Sequence, residues 1–210
     1  NKRRTAITIA SVSAALFFAI IMRSFQDGSY ERMIYNYVHS YTGHIQIHSD
    51  GYFDNQSIDN AFEYNDSIKE LIEVDGVEKT MLQITSGGSV SYKNISKFTS
   101  IIAGNPEQDL GENLIKNIVC GEVLKNNDNA ILIAEGLAKY LKIITYDTIC
   151  TIYENDTLYE QKARMIADSV VIISQGMYGE SAYGLFRVKG VIKYPDPKMN
   201  KAMIYMPLQA

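Results

Sequence analysis

The chain has no tryptophan, two cysteines and three histidines, and it lacks the basic excess that a nucleic-acid binder needs. Leaving out the four cations that flank its apolar run (Lys2, Arg3, Arg4 and Arg23), 16 Lys and Arg stand against 24 Asp and Glu, a balance of −8. Catalytic signatures are missing too. There is no G-x-x-x-x-G-K-[ST], so the chain hydrolyses no nucleotide by itself, and no G-x-S-x-G elbow or H-E-x-x-H. Gly176-Met177-Tyr178-Gly179 followed by Gly184 has no lysine for phosphates. His44 and His48 are about 13 Å apart on an extended chain, too far to share one ion. Asp50, Asp54 and Asp59 miss the EF-hand spacing. No metal, cofactor or catalytic residue is expected, and the chain reads as a non-enzyme.

The chain does hold a long apolar run. Thr5 to Met22 carries no charge over 18 residues, about 27 Å of helix against a ~30 Å hydrocarbon core. A cleaved signal peptide would be shorter and end in a small-x-small site. A core helix would not open on three cations. Residues 1–23 therefore read as a basic flank and membrane span. Lys2, Arg3 and Arg4 are held in the cytoplasm, and the chain beyond about residue 24 lies outside it. Ala6, Ala10 and Ala14, with Ser11, Ala15 and Ala19 beside them, form a small-residue face suited to packing against other spans.

Helical periodicity runs on through residues 24–42 as a stalk, with Tyr30, Met33, Ile34, Tyr37 and Tyr41 on its packing side. Gly43 is the expected stop. Unbroken, the rod would reach about 57 Å.

About 185 residues follow the span, enough for a sizeable core. His44 to His48 alternates like a half-buried strand, and Ser67 with Glu70 suggests a capping box opening a helix to about Val74. Strands are expected at 77–85, 89–92, 98–103, 130–134, 148–153, 170–174, 186–194 and 202–206. Short helices are expected at 110–116 and 135–142. Gly87-Gly88 and Lys93-Asn94 read as turns, and Glu154 to Arg164 as a polar excursion. The class is α+β. Cys120 and Cys150 are either two buried thiols or a bridge. Met177, Tyr178 and Tyr183, interleaved with glycine and serine, suggest a loop that shows aromatics to a partner.

Asn1-Lys2-Arg3-Arg4-Thr5, Gly43-His44-Ile45-Gln46-Ile47, Ile102 to Glu107, Ile133 to Leu141, Phe186 to Val191 and Ile204 to Leu208 together resemble the MacB/FtsX-type ABC-transporter permeases. The nearest branch is the lipoprotein-releasing LolC/LolE-like one. The resemblance implies an extracytoplasmic core domain over 43–210, with a second β-rich subdomain inserted at roughly 118–185. It implies an ABC ATPase partner, a second permease copy or paralogue, and mechanotransmission of ATP-driven movement to lipoprotein, peptide or periplasmic partners in the inner membrane. It also implies that the chain is a piece of a longer protein. Thr145-Tyr146-Asp147 departs from the family by lacking a glycine. The alternative is a membrane-anchored sensor whose outer domain binds a small ligand.

Overall fold

The structure, a computed structural model, describes residues 2–38, 43–54, 56–153, 156–176 and 179–209, leaving aside the side chains of 36, 37, 112, 113, 149–153 and 156–160. The chain divides into two units, 1–45 and 46–210.

The first unit is one helix, α1 (Lys2–Tyr37), without a break at Arg23. Its 36 residues make a rod of about 54 Å. Thr8 and Ser11 return their hydroxyls to the carbonyls of Arg4 and Thr8, at 3.1 and 2.9 Å, which removes two polar groups from the apolar run. Arg23 and Asp27 pair at 3.1 Å one turn apart, spanning the end of that run. Gly28 leaves open space around itself. Gly43 takes a φ of +65° and bonds back to the Val38 carbonyl at 3.2 Å, the left-handed stop its lack of a Cβ permits.

The second unit is α+β. Its elements are α2 (Asp66–Ile72), β1 (Ile84–Tyr92), β2 (Ile95–Gly104), α3 (Pro106–Asp109), α4 (Glu112–Ile115), β3 (Ile118–Gly121), β4 (Ala130–Ala134), α5 (Glu135–Tyr140), β5 (Ile144–Tyr153), β6 (Asp156–Met165), β7 (Ser169–Gln175), β8 (Ser181–Ile192), α6 (Pro197–Ala202) and β9 (Met203–Pro207). Seven strands form one sheet in the order β3-β8-β4-β9-β2-β1-β7. β7 also pairs with the first half of β8, so six of them close into a ring. Closure satisfies the backbone edges of those six, and among the described residues β3 alone in this sheet has a single neighbour. The core is filled by β4, buried at all five positions, with Leu137, Leu141, Ile143, Ile192 and Ile204 against it. β5 and β6 form a separate two-stranded ribbon, ten residues to a strand.

Several expectations are corrected. Of residues 118–185, β3, β4, β7 and the start of β8 lie in the large sheet with β1, β2 and β9, while β5 and β6 form the separate ribbon. Gly87-Gly88 is mid-strand rather than a turn. The Phe98 ring covers Gly87, where a Cβ would come within 2.7 Å of it, and at Gly88 a Cβ would meet Ile101 at 2.7 Å and the Ile173 carbonyl at 2.8 Å. The polar stretch 156–165 is strand β6, because ladder bonds are made by the backbone whatever the side chains. Residues 44–48 form no ladder, and Ile45 and Ile47 are exposed: alternation without a neighbouring strand makes no sheet. Residues 77–83 are likewise outside the strand, which starts at Ile84. α2 is capped by Asn65, whose side chain accepts from the Ile68 amide at 3.1 Å, and not by Ser67. α6 was not expected. Asp196 caps it, accepting from the Lys198 amide at 2.7 Å, with Pro197 in its first turn.

Candidate functional site

Ala6, Ala10, Ala14, Ser11, Ala15 and Ala19 all lie on α1 and are exposed within this chain, as are the large apolar residues around them. The helix is long and apolar enough to cross a membrane, and none of its apolar window is buried. Such a surface is unsuited to water and suited to lipid or to neighbouring spans.

Along the polar half of α1, Tyr30 and Met33 line a shallow apolar depression with Met22, Phe25, Gln26 and Ser29. Ile34 is exposed beside it, 59% accessible. The Tyr37 side chain and all of Tyr41, Met177 and Tyr178 lie outside the described residues. Tyr183 is not in a loop. It belongs to β8 opposite Ile173 of β7, and it is 84% exposed. The β7–β8 ladder begins at Gln175 and Ser181, which shortens the expected loop to 176–180.

Two buried polar clusters were not singled out by sequence reasoning. In the first, Asp109 at the end of α3 takes the Tyr205 hydroxyl at 2.8 Å and the Asn105 amide at 2.9 Å on one carboxylate oxygen. Burial raises the Asp109 carboxyl above the usual carboxylate range, outweighing these donors and nearby Lys79. The Tyr205 phenol is pushed up by burial and by the carboxylate it meets.

In the second, Glu135 opens α5 and is buried. It accepts from the Tyr146 hydroxyl of β5 and pairs with Lys139 one turn on at 2.8 Å. Burial alone would raise the Glu135 carboxyl, but the bonds from Lys139 and Tyr146 hold it below its ordinary value. Its bond to Glu135 raises Lys139, whose ammonium also sits 4.5 Å over the Tyr146 ring. Tyr146 is raised by burial and by Glu135. The cluster fastens the root of the β5–β6 ribbon to α5.

Both clusters tie elements together: Asp109 and Tyr205 join α3 to β9, and Glu135 and Tyr146 join α5 to β5. Among the described residues no three His, Cys, Asp or Glu side chains gather as a metal site. Cys120 is a free, half-buried thiol in β3, and the Cys150 side chain lies outside the described residues.

No family model and no curated protein matches the chain. Among solved structures it is similar to the extracellular domain of the noncanonic ABC-type transporter YknZ from Gram-positive bacteria, at 15% identity and a TM-score of 0.41. The match covers 70% of this chain and 63% of that one, so the chain spans less than two thirds of that structure.

Proposed function

We propose that the chain is the first span and extracytoplasmic domain of an ABC-transporter permease subunit. The observation that carries this reading is the continuity of α1, in which the apolar run of a membrane span and an amphipathic stalk are one helix from Lys2 to Tyr37. A helix without a break transmits displacement along its axis, which a subunit coupling cytoplasmic ATP hydrolysis to outside work requires. The resemblance of the sequence to MacB/FtsX-type permeases supports the same reading. In it Lys2, Arg3 and Arg4 stay cytoplasmic, ATP is hydrolysed on a separate subunit or domain, and the chain is a non-catalytic coupler. The small-residue face packs the span, and Tyr30, Met33 and Ile34 dock the stalk. Lipoprotein release is the proposed work, on the sequence resemblance alone.

Purification of the protein from its native membranes in mild detergent tests this. An ABC ATPase is expected to accompany it, with hydrolysis that changes when the permease is present. Recovery of a signalling protein instead, with no ATPase, would replace the reading with that of a membrane-anchored sensor.

A further inference from the structure

β2 and β9 run side by side to Gly104 and Pro207, and the chain turns into α3 directly beyond Gly104. Asp109, 8% exposed, closes that turn from the last position of α3. Its Oδ2 accepts twice, from the Asn105 amide and from the Tyr205 hydroxyl. Its Oδ1 accepts from nothing although it is shut off from solvent, and the side-chain oxygen of Asn105, one turn earlier, is in the same condition. Both orphans are acceptors. Buried acceptors are almost always met by a donor, and a full negative charge at such a place is costlier still.

A proton on Oδ1 answers both at once. It turns that oxygen into an O–H donor, gives Asn105 Oδ1 the hydrogen bond it lacks and takes the charge out of the interior, while Oδ2 keeps its two donors. Asn105 is placed for this. It immediately precedes α3, its side chain makes no capping bond, and its carbonyl already accepts from the Asp109 amide at 2.7 Å. The surroundings are those of a neutral group. Tyr205 of β9 and, behind it, Tyr194 beyond β8 are buried phenols, both pushed above the ordinary tyrosine value by burial. Gln83 faces the carboxyl from the segment before β1 and carries no charge. Lys79, on the same segment, brings a positive charge, but its ammonium donates to the Gln108 carbonyl. Glu107, on α3 itself, accepts from the Asn126 amide group at 3.2 Å. Burial outweighs the donors and Lys79, so the Asp109 carboxyl keeps its proton above the usual aspartate range.

We infer that Asp109 and Asn105 form a one-proton latch at the end of α3, with the proton on Asp109 Oδ1 donated to Asn105 Oδ1. Closed, the latch holds α3 against the ends of β2 and β9. When the proton leaves to solvent, a negative charge is stranded in a sealed place, both acceptors lose their donor, and Lys79 is drawn from Gln108 towards the carboxylate. α3 and the two strand ends then loosen together as pH rises through the folded value. The inference goes beyond the permease reading and does not depend on it.

Infrared spectra of the full chain in detergent test the proton. At about pH 5, where ordinary aspartates are ionised, the wild type is expected to show the carbonyl stretch of a protonated aspartic acid, lost in Asp109→Asn. Carbon-13 labelling of aspartate assigns the band without any substitution if that variant does not fold. Two further variants place the proton by the sign of their effect. Asn105→Ala removes its acceptor and is expected to move the titration of the band to lower pH. Tyr205→Phe removes a donor to the carboxylate and is expected to move it to higher pH. Exchange protection of the Asp109, Leu110 and Leu208 amides, which donate to the carbonyls of Asn105, Pro106 and Gly104, is expected to fall about tenfold across the titration in the wild type and to stay level in Asp109→Asn. An Asp109 without the band, or protection that does not change, would overturn the inference. So would a titration moved upward by Asn105→Ala, which means that the side-chain amide donates to a carboxylate, or one unmoved by it, which puts a water between the two oxygens.

Discussion

The Tyr205 hydroxyl donates to Asp109 Oδ2 at 2.8 Å, joining β9 to α3 across 96 residues of chain. The same oxygen accepts from the Asn105 amide at 2.9 Å, while Asp109 Oδ1 and Asn105 Oδ1 are buried without a hydrogen-bond partner. Gly104, the last residue of β2, lies directly beneath this carboxylate.

Gly104→Ala is therefore expected to destabilise the protein. A Cβ there would collide with Asp109 Oδ2 and come within 2.7 Å of the Tyr205 hydroxyl. Overpacking of this kind costs about 1–3 kcal/mol. A lowered urea midpoint with an unchanged slope would show it.

Asp109 sets a pH dependence of definite sign. Burial raises its folded pKa, so the folded state holds a proton that the unfolded chain gives up from about pH 4. Its contribution to stability is fully present below the unfolded value and lost as pH rises through the raised folded value. Asp109→Asn keeps an acceptor for Tyr205 and removes the titration. Melting temperatures of this variant should be flatter across that interval than those of the wild type.

Glu135 has the opposite sign. Its folded pKa is depressed, so its stabilisation is present above about pH 4.3 and disappears as pH falls through the folded value. Glu135→Gln weakens the bonds from Lys139 and Tyr146, a loss of about 1–3 kcal/mol at neutral pH. Denaturation curves of variant and wild type are expected to separate at pH 7 and converge under acid conditions.

Gly28 is the weakest residue of α1 by intrinsic propensity, with nothing within 4 Å of the position a Cβ would take. Gly28→Ala should raise helix stability by about 0.5–1 kcal/mol, and Gly28→Pro should lower it by about 3 kcal/mol. If α1 carries force as a rod, the alanine variant keeps transport coupled to ATP hydrolysis and the proline variant uncouples it. Equal transport by the two would count against that role.

Ala14→Leu fills the small-residue face of the span, where close backbone approach depends on side chains no larger than alanine. Recovery of neighbouring membrane subunits with this variant should fall well below wild type in the same detergent.

Elements whose chemistry is local were legible in the sequence. α1 follows from an uncharged run joined to a 3.6-residue stripe, β4 from a short apolar block, and Gly43 from its need for a positive φ. What escaped was set by tertiary context. Gly87 and Gly88 look like a turn until the Phe98 ring is seen to lie over the bare backbone of Gly87, and Ile101 and the Ile173 carbonyl to crowd that of Gly88. Tyr183 reads as a loop aromatic, yet it lies in a strand that is defined only by its pairing with β7. The polarity of 156–165 hid a ladder that only its partner reveals. Asp109 and Tyr205 carry no joint signal, because nothing in either neighbourhood announces a bond to a residue so far along the chain.

The seamless helix α1 also fixes an azimuth. Each residue advances the turn by about 100°, so the angle between the alanine rows and the Tyr30–Met33 side is written into the number of residues separating them. One residue inserted next to Arg23 would swing the Tyr30–Met33 side by about 100°, while seven would return it to within about 20°. The spacer is thus a phase-setting device, and its length matters more than its composition.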